Sequence, residues 1–185
     1  LITPDEKSFF IMTTGGLKKF SFPDFKFDTV YHSFSPSSGC LHFLKSKGIV
    51  LYNQYSELIS HNLKTSLETN FKNEHKETIL SIASTSDDEF VFTTGYDNKL
   101  TKWNTDSQKV ENRLNIESSG TALFVREDSG TILVGMSNGS LSEFSLNDLL
   151  LLRTIPVHSK WVKKIIQLSS GDILTCSEDG NVCLP

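Results

Sequence analysis

Apolar residues along this 185-residue chain fall in short runs, not in the i, i+3, i+4, i+7 spacing of an amphipathic helix, and helix caps followed by a terminating Gly are scarce. Residues 9–12, 49–52, 90–94, 100–103, 122–125, 132–134 and 162–168 are rich in β-branched and aromatic side chains, as strands are. Turn formers punctuate them: Pro4-Asp5, Gly15-Gly16, Ser37-Ser38-Gly39, Asp97-Asn98, Ser129-Gly130, Asn138-Gly139, Gly171-Asp172 and Asp179-Gly180. The pattern predicts an all-β chain and leaves sandwich, barrel and repeat array open.

Self-similarity selects among them. The segments FVFTTGYDNKLTKWN, ILVGMSNGSLSEFSL and ILTCSEDGNVCLP each join a strand, a polar turn and a second strand. Their turn residues Asp97, Asn138 and Asp179 are 41 residues apart, and Trp103, Phe144 and Pro185 each follow six positions later. Extended to GGLKKFSF and KGIVLYN, the same slot takes Phe20 and Tyr52. The slot separations are then 32, 51, 41 and 41 residues, averaging about 41, the period of a four-stranded propeller blade. The long interval places an enlarged loop, a candidate partner contact, at residues 70–78.

These residues resemble the WD-repeat β-propeller family. His75 stands where the family has Gly-His, with Glu74 replacing Gly; Asp97 follows 22 residues later, and Trp103-Asn104 replaces Trp-Asp. His158 and Asp179 repeat the pattern 21 residues apart, whereas the repeat between has no His, Asn138 for Asp and Phe144 for Trp. LITPDEKSFFIMTTGG resembles the family's Ser-Pro-Asp-Gly turn and second strand. The resemblance implies a partial propeller of about four and a half blades of four antiparallel strands, near 1–31, 32–70, 71–115, 116–155 and 156–185. Further blades or chain segments are then expected to close a seven-bladed ring, covering open edges and apolar faces.

The resemblance implies a buried hydrogen-bonded staple of His75, Thr93, Asp97 and Trp103, with Thr94 as the register alternative to Thr93. His158, Thr175 and Asp179 repeat it, left open by Pro185. The chemistry is self-consistent: a carboxylate accepts from an imidazole, the imidazole from a hydroxyl, and the hydroxyl from an indole N–H. A hydroxyl, a base and a carboxylate are also the parts of a catalytic triad. A catalytic site seldom recurs 41 residues on, however, and no nucleophile elbow accompanies this one: the Gly-x-Ser-x-Gly of residues 135–139 lies between strands rather than before a helix. The recurrence favours fastening over catalysis.

For binding, the resemblance places two sets of positions on the narrow face: Tyr96, Ser137 and Glu178 before the turn residues, and Thr78, Thr121 and Trp161 after the His positions. Trp161 is the leading contact, because large aromatics carry most interface energy. Residues 149–152 predict an outer strand with alternate leucines buried.

The remaining chemistry is sparse. His32, His42 and His61 lack acidic or Cys companions at ligand spacing; Asp87-Asp88-Glu89 reads as a solvated turn. The glycines of residues 135–139 lie between strands and so do not form a phosphate cradle, and Asn138-Gly139-Ser140 reads as a hairpin turn before a glycosylation site. Lys163-Lys164 is too short a basic run for nucleic acid, and a net charge of −4 supplies no basic field. Three cysteines without metal spacing read as reduced thiols of an intracellular protein, cytoplasmic or nuclear, and no apolar run approaches a membrane span. No cofactor or metal is expected. The implied function is a non-enzymatic scaffold that organises other proteins within a larger assembly; the alternative is a substrate-recognition or regulatory propeller attached to a ubiquitin ligase or kinase.

Overall fold

The computed structural model describes residues 2–3, 6–13, 16–32, 39–72 and 74–185. The turn signals at Pro4-Asp5, Gly15 and Ser37-Ser38, the side chain of His32, and Asn73 of the 70–78 segment lie outside the described residues. Among those described, the strands form five antiparallel meanders in chain order. The first sheet contains β1 (Ser8–Thr13), β2 (Gly16–Ser21) and β3 (Phe27–His32); the second contains β4 (Leu41–Leu44), β5 (Ile49–Gln54), β6 (Glu57–Asn62) and β7 (Glu68–Asn70). The third contains β8 (Ile79–Ser84), β9 (Phe90–Gly95), β10 (Lys99–Asn104) and β11 (Lys109–Asn115). The fourth contains β12 (Gly120–Arg126), β13 (Thr131–Met136), β14 (Ser140–Ser145) and β15 (Leu151–Pro156); the fifth contains β16 (Val162–Gln167), β17 (Ile173–Ser177) and β18 (Val182–Cys183).

The chain divides into two compact units, Leu1–Ile79 and Leu80–Pro185. In the first, Phe10 and Leu17 pack with Phe43, Val50, Tyr52 and Ile59. In the second, the fourth sheet is covered on both faces. Phe92, Leu100 and Ile116 meet Ile132, Val134 and Phe144 on one side, and Ala122, Leu133 and Leu141 meet Val162 and Ile165 on the other. All six residues of β13 are therefore buried, so the strand shows no period-two alternation. Alternation survives in β11, an outer strand with one face toward solvent.

The hairpin turns keep the period. Asn98, Gly139 and Gly180, 41 residues apart, all have positive φ (54°, 86° and 87°). Around Gly139, its carbonyl accepts from the amides of Val157 and His158, at 3.3 and 3.0 Å, tying the β13–β14 turn to the chain entering the fifth sheet.

Strand register corrects the slot assignment. Trp103 pairs with Val91 and Val110, Phe144 with Ile132 and Leu151, and Phe20 with Phe9 and Phe27. In the second sheet the residue so placed is His61, between Val50 and Glu68; Tyr52 lies one strand earlier, on β5. Slot residues 20, 61, 103 and 144 are spaced by 41, 42 and 41, and the 51-residue interval disappears. The second sheet concealed its register because β5 and β6 are joined by Tyr55-Ser56, with neither Asp nor Gly, and because its slot holds a polar residue. Among the described residues of 70–78, Phe71 and His75 are buried. Residues 149–152 also differ from expectation. Leu149 is buried in the turn, but Leu150, Leu151 and Leu152 are 62%, 52% and 52% exposed, because β15 is an edge strand beyond the core clusters.

A Cβ on Gly139 would lie 2.1 Å from the His158 carbonyl oxygen, whereas one on Gly171 (φ 91°) would meet nothing within 4 Å. Gly171→Ala is expected to cost about 1–2 kcal/mol for the backbone conformation alone. Gly139→Ala adds overpacking of about 1–3 kcal/mol. Equal losses in chemical denaturation would refute the contact.

Candidate functional site

In the third sheet Trp103 Nε1 donates to Thr93 Oγ1 at 2.7 Å, both residues being buried. Thr94 instead donates to the Gly120 carbonyl at 3.0 Å. Asp97 is half-buried in the β9–β10 turn. His75 is buried in the β7–β8 connection, in the first unit; the other three belong to the second.

The fifth sheet holds a hydrogen-bonded chain of its own. His158 Nδ1 lies 3.2 Å from Asp179 Oδ2, and His158 Nε2 lies 2.9 Å from Thr175 Oγ1. A carboxylate only accepts, so the imidazole proton sits on Nδ1 and the Thr175 hydroxyl donates to Nε2. The amides of Ser159 and Asn181 also donate to Asp179, at 3.0 and 2.9 Å. These amides, followed by His158, hold the Asp179 carboxyl at about 2, well below its ordinary value. The composition is that of a triad, but Thr175 is only 1% exposed.

Other sheets fill the same positions differently. The pair Thr93/Trp103 becomes Val134/Phe144 in the fourth sheet, an apolar match. In the second it becomes Tyr52/His61, both facing Glu68. The Tyr52 hydroxyl donates to Glu68 Oε1 at 2.7 Å, and His61 Nδ1 lies 3.3 Å from the same oxygen. Burial, then Glu68, pushes the Tyr52 phenol above its ordinary range. His61 thus has the acidic companion that sequence spacing did not reveal, because Glu68 is on the next strand. Among the described residues no three His, Cys, Asp or Glu side chains converge as metal ligands. Asp88 also departs from the solvated reading: it is buried and accepts from Ser84 Oγ at 3.0 Å. Cys40 donates its thiol to Asn53 Oδ1 at 3.2 Å, and burial pushes that thiol up to about 12, so it is no nucleophile at neutral pH. On β14, burial works to raise the Glu143 carboxyl, but hydrogen bonds from Arg153 and Thr131 and the charges of Arg153 and Arg126 outweigh it and hold it low.

Three of the expected contact residues converge. Trp161 is half-buried and meets Tyr96 edge-on, with centroids 5.9 Å apart; Tyr96 is 40% exposed. Lys163 Nζ lies 5.3 Å from the Trp161 ring centroid and 2.9 Å from Glu178 Oε1, and the Glu178 amide donates to the Trp161 carbonyl at 3.1 Å. Lys163 was missed as a participant: its signal was position, two residues after Trp161, rather than the Lys-Lys pair. Ser137 is half-buried, its amide bonded to the Ser119 carbonyl. The hydroxyl of Thr121 is directed at the carbonyls of Gly135 and Val162, at 3.0 and 2.6 Å, leaving it no free proton. Thr78 is half-buried in the first unit. No helix among the described residues is long and apolar enough to cross a membrane.

A family model described as WD domain, G-beta repeat matches residues 65–104 and 150–184. A search of the curated proteins finds no match.

Thr93→Val leaves the Trp103 N–H buried without an acceptor and is expected to cost about 1–3 kcal/mol. Thr93→Val with Trp103→Phe recreates the Val134/Phe144 match; a double-mutant cycle in urea should show the double variant losing less than the summed singles, and strict additivity would contradict the bond. For Asp179 the folded pKa lies below the ordinary 3.8, so its stabilisation is complete above about pH 4 and is lost as pH falls toward 2. Asp179→Asn should lower stability at neutral pH and remove that part of the acid limb; parallel acid limbs would disprove the assignment.

Proposed function

Because the chain is a WD-repeat β-propeller protein, built on a fold that typically serves as a protein-interaction module, we propose that it is a non-enzymatic scaffold organising other proteins within a larger intracellular assembly. The observation that supports this reading best is the Trp161–Tyr96 pair, a partly exposed aromatic contact bordered by the Lys163–Glu178 ion pair. An indole held edge-on by a tyrosine loses little rotamer freedom on binding, and such residues dominate interface energies. We assign Trp161, Tyr96 and Glu178 to the contact surface. Ser137, Thr78 and Thr121 complete the set expected on the narrow face, where Thr121 acts through its position and not through its committed hydroxyl.

The groups His75, Thr93, Asp97 and Trp103, and His158, Thr175 and Asp179, are assigned to fastening the sheets. In the last group a buried hydroxyl donates to a buried imidazole, which holds a fold together but performs no turnover.

The test is affinity capture with the protein and with Trp161→Ala. Loss of a hot-spot aromatic of about 2 kcal/mol corresponds to roughly 30-fold weaker partner binding, with little change in melting temperature. Undiminished capture by a folded variant would remove Trp161 from the interface; unfolding would place it in the core.

A further inference from the structure

A cavity of about 180 Å³ lies between the third and fourth sheets. Its apolar wall includes Ile116, Met136, Phe144 and Leu151. Its polar lining includes Ser142, Thr154 and Glu117. Two of these positions have counterparts 41 residues on: Glu117 corresponds to His158, and Ser142 to Cys183. In the fifth sheet those counterparts approach one another, with Cys183 Sγ 3.9 Å from His158 Nδ1, and the imidazole is fully buried. In the fourth sheet Glu117 is exposed, and Val134 and Asn138 stand where Thr175 and Asp179 bind the ring. The fold therefore makes ring-sized space at this position in both sheets, and the fourth sheet lines it without filling it from its own chain.

We propose that this cavity binds a small neutral heteroaromatic ring carrying one N–H donor, between imidazole and indole in size. The volume is sufficient: an apolar protein cavity of about 150 Å³ is large enough to hold benzene. Met136 offers a thioether and Phe144 a ring, both favourable neighbours for an aromatic guest. The hydroxyls of Ser142 and Thr154 lie 2.7 Å apart, one donating to the other, and Ser142 Oγ lies 3.9 Å from Met136 Sδ; with two lone pairs on each oxygen, the pair keeps acceptor capacity for the guest's N–H. Glu117 adds a carboxylate acceptor at the solvent side. This site is separate from the Trp161 surface and does not depend on the scaffold reading.

The experiment titrates indole into the whole protein, followed by thermal shift and saturation-transfer NMR. Three comparisons accompany it: the Thr154→Trp variant, N-methylindole, and the capped peptide acetyl-Gly-Trp-Gly-amide. Thr154 is exposed on the edge strand β15, so its replacement covers the mouth without entering the core. The expected result is a saturable rise in melting temperature with indole, at least tenfold weaker apparent affinity in Thr154→Trp, and at least fivefold weaker binding of N-methylindole. No saturable response, or equal responses in both proteins, would overturn the proposal. Equal affinity for N-methylindole would remove the donor requirement and overturn it too. Binding of the peptide without binding of indole would make the site a pocket for a partner's side chain, and the small-molecule proposal would fail.

Discussion

The constraint on which the second unit depends is that inner strands such as β13 are buried on both faces, so the polar groups of such strands are best satisfied inside the sheet. The bond from Trp103 to Thr93 illustrates the rule: an indole N–H and a hydroxyl, each costly to bury alone, meet across neighbouring strands. Remove one partner and the other is stranded; remove both, as in Val134 and Phe144, and an apolar surface of similar shape remains. The sheets thus vary in chemistry while retaining one backbone.

The same logic governs a triad-like set of groups in the fifth sheet. The proton on His158 Nδ1 is directed at Asp179, and Thr175 donates to Nε2, as in a hydrolase. What differs is access. The hydroxyl is buried within its own sheet, where low dielectric strengthens its hydrogen bond to the imidazole. Around Trp161, by contrast, an aromatic pair and an ion pair bring the third sheet's β9–β10 turn together with the fifth sheet.

Much of the architecture was legible because turn chemistry keeps time. Asn98, Gly139 and Gly180 occupy the left-handed region that a tight hairpin needs, and their spacing exposes the period before any strand is placed. The second sheet was misread for a related reason. Its Tyr55-Ser56 turn carries no such mark, and its slot is filled by His61, which a search for bulky apolar residues passes over. Asp88 was misjudged because burial of a carboxylate depends on a hydroxyl four residues upstream, Ser84, which composition does not weigh. At the contact surface, Trp161 announces itself by residue type, but the meeting with Tyr96, 65 positions earlier, is a product of folding alone.

The hydrogen-bonded and apolar pairs share one further property. Thr93 and Trp103 are ten residues apart in the chain, as are Val134 and Phe144, and Tyr52 and His61 are nine apart. Both members of each couple therefore travel on one short stretch of coding DNA. A duplication or gene-conversion tract of a single period would transplant a matched set in one event, with no mismatched intermediate for selection to purge. Contacts that cross between periods, such as Thr94 against Gly120, where a Cβ would lie 2.6 Å from that of Thr94, enjoy no such linkage, and a larger residue at one end calls for a separate change at the other.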